Sequence, residues 1–419
     1  MRMRRYGLVA VVLGLAGSAG ASGQESVELS GELRLRGEVE RPAPVDTTDG
    51  FVLSRARLGV LAALANRASV FLQVQDARTF GEETSTVDGS ADRLDVHQAW
   101  LELVTGMGRS ELSLRAGRQE IALGNERLVG PVGWSNTGRS FDAARLTLAG
   151  AEAGWQVTAL AAVVGERGRR LQGTEPVPER SDHLLLGAYG DTRVLDVYGL
   201  FDRSATYRTW TGIDRGTLGA RVELPPQSGL SAWAEGALQV GNQLLDGGTP
   251  QDISAYLLGG RVNYGMPAGV LANVGVGADY LSGDETPADD EYGAFNVMYH
   301  TGHKWYGYLD LWLDPAARTG DRGLVDMMGN VTLRLREGWP LALDVHRFST
   351  AEERAADGAS DLGWEVDATL PITIAPNQRL QLGYSAYRNG DAMPVLGLGD
   401  ADAWWHWGYA MLTFSFGGR

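Results

Sequence analysis

The stretch Val27–Val39, VELSGELRLRGEV, decides the fold. Val27, Leu29, Gly31, Leu33, Leu35, Gly37 and Val39 fall on one side of an extended chain, and Glu28, Ser30, Glu32, Arg34, Arg36 and Glu38 fall on the other. One face is apolar and the other charged. A soluble sandwich would turn the apolar face to a second sheet, whereas a barrel in lipid turns it to acyl chains and the charged face to a wet lumen. Alternation alone leaves both open.

The same rhythm recurs to the end of the chain. It predicts strands over 27–39, 52–64, 69–79, 94–104, 111–119, 141–148, 155–164, 184–191, 194–202, 217–224, 230–241, 253–264, 270–281, 324–336, 341–348, 364–374, 379–388 and 404–416. Connections alternate between tight and long. Ala65-Asn66-Arg67, Asp191-Thr192-Arg193, Pro225–Gly229, Met266-Pro267-Ala268 and Ala375-Pro376-Asn377 are short and carry turn residues, whereas 120–140, 165–182 and 282–323 are long. Short periplasmic turns and long extracellular loops are the habit of outer-membrane barrels, and a sandwich has no reason to keep it over nine hairpins. The expected fold is all-β: a transmembrane, antiparallel, up-and-down barrel of about 18 strands, with 16 as the alternative.

Both ends agree with a membrane barrel. Arg2, Arg4 and Arg5, an apolar run from Tyr6 to Ala16 and the small residues Ala19-Gly20-Ala21 read as a secretory signal over 1–21, leaving 22–419 as one barrel domain in the outer membrane. Near the C-terminus Ala410, Leu412, Phe414 and Phe416 alternate with Met411, Thr413 and Ser415, resembling the terminal strand of such barrels. Aromatic residues near strand ends, Trp155, Tyr264, Trp364, Trp404, Trp405, Trp407 and Phe416, are expected to form interfacial girdles. The 57 glycines suit tight turns and close strand approaches. With no cysteine, disulfides and thiolate metal sites are excluded. Net charge is −15, and removing three signal arginines takes the mature chain to −18, which excludes nucleic acid as a partner.

Two loop blocks carry more specific information. Gly117-Arg118-Gln119-Glu120, Gly124–Pro131 (GNERLVGP) and Trp134–Asp142 (WSNTGRSFD) resemble the alginate export family of outer-membrane proteins, as does Tyr299–Asp310 (YHTGHKWYGYLD). The resemblance implies an 18-stranded barrel with a narrow lumen partly occluded by inward-folded loops, through which an anionic polysaccharide leaves the periplasm. It also implies a monomer working with a periplasmic export complex. From these blocks Arg127, Asn136, Arg139, His303, Lys304, Trp305, Tyr306 and Asp310, with Tyr308, are candidates for a gate or a saccharide-stacking surface.

A barrel of this strand number leaves an aqueous channel, so lumen residues would set selectivity. Arg34, Arg36, Arg55, Arg57, Arg115, Arg145, Arg221, Arg334 and Arg336 lie on the polar faces, where guanidinium groups suit a ladder of weak sites for carboxylates. Arg34, Arg36, Arg55 and Arg57, on adjacent strands, would make a positive constriction. Acids share those faces, among them Glu32, Glu38, Glu235, Asp279, Asp344, Glu365 and Asp367, so a wall of paired charges is the competing account.

The expected function is a channel for an anionic solute, an acidic polysaccharide or a smaller acid, with a general porin as the runner-up. No cofactor is expected. Asp284, Asp289 and Asp290 offer oxygen ligands for Ca²⁺, but their spacing matches no EF-hand, and a solvated acidic loop is the preferred account. Six scattered histidines and the lack of a nucleophile elbow or P-loop argue against an enzyme. Strand one starts too near the signal segment to leave room for the plug domain of an energised receptor.

Overall fold

The computed structural model describes residues 26–42, 47–65, 67–80, 92–150, 154–165, 183–204, 212–244, 250–287, 289–354 and 358–417. The expected signal segment 1–21 and the loop 166–182 lie outside the described residues. In chain order the strands are β1 (Val27–Arg41), β2 (Asp49–Ala65), β3 (Ala68–Phe80), β4 (Asp92–Met107), β5 (Ser110–Gln119), β6 (Phe141–Gly150), β7 (Trp155–Gly165), β8 (His183–Thr192), β9 (Leu195–Ser204) and β10 (Gly212–Gln227). They continue as β11 (Leu230–Leu244), β12 (Pro250–Gly265), β13 (Leu271–Leu281), the two-residue β14 (Glu291–Tyr292), β15 (Leu324–Arg336), β16 (Trp339–Ser349), β17 (Asp361–Ala375), β18 (Gln378–Asn389) and β19 (Trp404–Phe416).

Eighteen of these close an antiparallel barrel. Each pairs with its sequence neighbours, and β1 pairs with both β2 and β19, Leu33 lying opposite Ala56 on one side and Phe414 on the other. No edge is left unpaired, which is what a sheet needs in lipid. No helix of the described residues is long and apolar enough to cross a membrane. The largest departure from the periodicity is β10, which begins at Gly212 and not at Thr217. Pairing with β9 and β11 holds the weakly β-forming Gly-Ile-Asp-Arg-Gly segment extended. At the tight end Ser228 and Gly229 both take positive φ, +52° and +89°, and reverse the chain between β10 and β11.

The outer face is the apolar one. Leu218 and Leu238, directly opposite across β10 and β11, are 63% and 60% exposed, and in a bilayer they face acyl chains. Two of the expected girdle residues turn the other way. Trp404 is outward and packs edge-on against Trp364, but period-two alternation carries Trp405 and Trp407 inward, where their indole N–H groups donate to Asn389 (2.8 Å) and Glu38 (2.8 Å).

The lumen is not the open channel that strand number alone leaves, and inward-folded loops occlude part of it, as the family resemblance implied. Its long-loop half is packed with apolar side chains. Ile121, Val129, Phe295, Tyr306 and Trp312 from the loops 120–140 and 282–323 meet wall residues Leu185, Leu257, Leu281, Phe348 and Tyr387. The physical reason is in the wall itself: near their long-loop ends these strands turn apolar residues inward, and those residues need a dry partner.

Candidate functional site

The tip of the loop 120–140 lies on the four arginines of β1 and β2. Arg34 donates to the carbonyls of Gly133 (2.8 Å) and Ser135 (2.9 Å), and Arg55 to the same two carbonyls (3.1 and 3.0 Å). Arg36 donates to Trp134 O at 2.8 Å and stacks over the Trp134 ring at 4.0 Å. Arg57 reaches Glu120 at 3.2 Å, while Gln75 donates to Thr137 O at 2.8 Å. Asn136 points back to the wall, donating to the carbonyls of Ser54 (3.1 Å) and Arg78 (3.0 Å).

The four cations are therefore brought together, but they are occupied. Carboxylates complete their coordination: Glu38 on Arg36 at 2.6 Å and Glu32 on Arg55 at 2.7 Å. Burial works against the charge of Glu120, yet the hydrogen bond from His97 (2.7 Å) and the Arg57 guanidinium outweigh it and hold its carboxyl below the ordinary value. What read as a constriction is a cradle of charge-assisted hydrogen bonds that fixes a loop.

The second loop is stitched to the first. Val129 and Tyr299 form a parallel bridge, with Gly130 N donating to Tyr299 O (2.9 Å) and Tyr299 N to Leu128 O (2.8 Å). Arg139 donates to the carbonyls of Gly130 (3.3 Å), Tyr299 and His300 (3.1 Å). Arg127 is 1% exposed and meets Asp279 of β13, fully buried, at 2.7 Å. Two of its nitrogens, Nε and Nη1, find no acceptor; the guanidinium lies 4.5 Å from the Trp305 ring instead. His300 Nε2 donates to Leu313 O at 2.7 Å while Nδ1 is buried without a partner, so the ring is held neutral. Burial accordingly lowers its pKa to about 4.

The tip of this second loop is strapped to the wall. Leu309 N donates to Glu365 of β17 at 2.7 Å, and Gly307, at φ +86°, passes so close that a Cβ would lie 2.4 Å from the Glu365 carboxylate. His303 is stacked between Trp134 (3.9 Å) and Tyr308 (5.0 Å) and hydrogen-bonds Asp310 at 2.9 Å. Tyr306 is buried; Lys304 stays at the surface, 3.7 Å from Glu126. Of the expected gate residues, His303 meets Asp310 and Arg127 meets Trp305 and Tyr306, whereas Asn136 turns to the wall and Lys304 to the surface.

The remaining arginines divide. Arg115 is neutralised by Glu102 (2.9 Å) and stacked on Trp100 (3.9 Å), and Arg221 pairs with Asp196 (3.1 Å) and Glu223. Arg334 and Arg336 sit exposed at the short-turn end, Arg334 on the carbonyls of Gly269 and Leu271 and Arg336 over Trp339. They are apart from the packed half of the lumen, because they close β15 at its turn into β16. Arg145 and Arg336 make no hydrogen bond or ion pair among the described residues, but Arg336 is stacked on Trp339 at the turn. That leaves Arg145 as the one of the nine on the lumen wall with no hydrogen bond, ion pair or aromatic partner among the described residues.

Among the described residues the polar cavities beside the packed loops include two lined by an arginine. One, of about 370 Å³, is lined by Gln75, Asp95, His97, Arg118, Thr137 and Ser140 among others. The other, of about 170 Å³, lies against Arg145. Among the described residues no three of His, Asp and Glu are placed to hold a metal ion. Asp289, one of the acids considered for Ca²⁺, accepts the backbone N–H of Glu291 at 3.0 Å.

The partners of the loops have no local signature in the sequence: alternation marks Asp279 and Glu365 as lumen acids without showing that they anchor loops, and nothing near Trp134 marks it as the stacking partner of His303. The usable signal was that both loop blocks are dense in the same residue types, aromatic and arginine.

A sequence model described as "Alginate export" matches residues 26–395. No curated protein sequence matches at a significant level. Among solved structures, OccK8 (OprE) of Pseudomonas aeruginosa is 11% identical with a TM-score of 0.61, covering 94% of this chain and 99% of that one. OccAB1 of Acinetobacter baumannii is 12% identical with a TM-score of 0.62, over 94% and 97%. OccK2 (OpdF) of Pseudomonas aeruginosa, solved in complex with glucuronate, is 10% identical with a TM-score of 0.59, over 94% and 97%. At these identities the likeness speaks for the fold.

Proposed function

The chain belongs to the alginate export family, and on that premise we propose that this outer-membrane channel passes acidic sugars, as single units or short oligomers, while its two inward loops stay docked. The observation that carries the reading is the packed lumen: loops narrow an 18-stranded barrel, and polar spaces of about 170 and 370 Å³ lie beside them. Such spaces suit a small solute. Arg145, a lumen arginine with no ion pair among the described residues, favours an anion over a neutral sugar, and the glucuronate held by OccK2 supports a uronate as the kind of anion.

Export of a long acidic polymer is the second reading, and family membership favours it. It requires the loops to leave. Exposing Ile121, Val129, Phe295, Tyr306 and Trp312 at about 1.5–3 kcal/mol per side chain would cost on the order of 10 kcal/mol. Thermal opening does not reach that, so a polymer would need a partner to drive it, such as a periplasmic export complex. In this reading the short-turn end faces the periplasm, residues 1–21 are removed on export, and the barrel works as a monomer without catalysis.

Swelling of proteoliposomes loaded with impermeant dextran tests the reading. Glucuronate should enter faster than glucose, and a uronate polymer of tens of units should not enter. Entry of polymer through the isolated protein, or equal rates for glucose and glucuronate, would contradict it.

A further inference from the structure

We propose that the cavity at Arg145 is a binding subsite for the carboxylate-bearing ring of one acidic sugar. This deepens the acidic-sugar reading above and rests on it. Arg145 lies on the lumen face of β6, opposite Arg115 of β5 and Leu160 of β7. Glu102, the nearby acid, is already engaged at 2.9 Å by Arg115, so it reaches Arg145 only through space. Arg145 is half-buried and makes no hydrogen bond or ion pair among the described residues, in a lumen where the other arginines of β1, β2 and β5 are all engaged.

The surroundings are those of a sugar site. The cavity is lined by Ser113, Thr147, Gln156, Thr158 and Asp191. Thr147 and Thr158 share one hydrogen bond at 3.1 Å, which uses one hydroxyl proton and leaves the other for a ligand. Asp191 faces the same space, where it would repel a carboxylate and accept from hydroxyls. A uronate ring therefore has one favoured orientation, its carboxylate on Arg145 and its hydroxyls toward Asp191. At about 170 Å³ the cavity is small beside the pockets that take drug-sized ligands, which suits a single sugar ring. A single charge-assisted contact in a wet lumen holds a ligand weakly, as conduction requires.

The test is block of single-channel current in a planar bilayer by glucuronate and by glucose, using the full-length protein. Arg145→Gln should raise the half-blocking glucuronate concentration tenfold or more, leave glucose unchanged, and be partly rescued by Arg145→Lys. Thr147→Val should weaken both sugars by a few-fold, and Arg379→Gln, an exposed cation at a tight turn, should change neither. If wild-type current is blocked by glucuronate but R145Q and T147V stay within twofold of it, the subsite is wrong and the channel reading stands. If glucuronate never blocks the wild type at any concentration that glucose tolerates, the acidic-sugar reading fails and the subsite with it.

Discussion

Two buried side chains decide how firmly the loops are held. Arg127 and Asp279 are both removed from water, and taking away one partner leaves the other buried without a counter-charge, typically at about 3–5 kcal/mol. Arg127→Met should therefore lower the thermal unfolding temperature in detergent and raise open-channel conductance. Adding Asp279→Asn should recover part of both, and an additive pair would show that the two do not act as a unit. His300 makes a pH prediction with a definite sign. Its folded pKa is near 4 against about 6.5 when solvated, so the neutral ring stabilises the docked loops fully above about pH 6.5. That contribution, at most about 3 kcal/mol, is lost as pH falls from 6.5 toward 4, because the unfolded or undocked ring takes up the proton first. Glu120, held below its ordinary value, acts in the same direction at lower pH. Channel openings should become more frequent over this window, and His300→Gln, which keeps a donor for Leu313 O, should flatten the response between pH 6.5 and 5. The arginines were legible as lumen residues from alternation alone, since Arg34 and Arg36 share a face by period two. Their engagement by Gly133, Trp134 and Ser135 was not, because a contact across about a hundred residues has no local signature.

At the scale of elements, the strands follow from the sequence more completely than the loops. Alternating apolar and polar residues specify a strand, its face and its register together, since a one-residue slip would turn Arg34 into lipid and Leu35 into the lumen. The inversion of Trp405 and Trp407 obeys the same rule: position near a strand end suggested a girdle, but parity decided the face. The loops obey no period. Their conformation is set by where anchors happen to lie, and Glu365 with Gly307 is the clearest case. Gly307→Ala introduces a side chain at φ +86° and toward a carboxylate 2.4 Å away, so the tip of the second loop must detach from β17. The expected outcome is a larger and noisier single-channel current with an unchanged β-sheet circular dichroism spectrum. An unchanged current would mean that this loop does not limit flow.

At the scale of the whole molecule, the barrel and the plugged lumen have opposite chemistry. Lipid-facing strands carry an apolar band and closed hydrogen bonding, which makes the shell indifferent to what passes within. On the proposal above, selectivity belongs to the loops and to the wall residues they leave uncovered, Arg145 among them. Strand number alone would predict a wide, unselective pore; the packed core formed by Val129, Tyr306, Trp312, Phe348 and their neighbours predicts a narrow one. The most direct test is the single-channel conductance and zero-current potential of the full-length protein in a planar bilayer under a salt gradient. A lumen narrowed by docked loops should give a small conductance with a reversal potential that marks anions as the preferred carriers, despite a net charge of −15. A large conductance with a reversal potential near zero would mean that the loops do not constrict the lumen, and that the protein is a general porin.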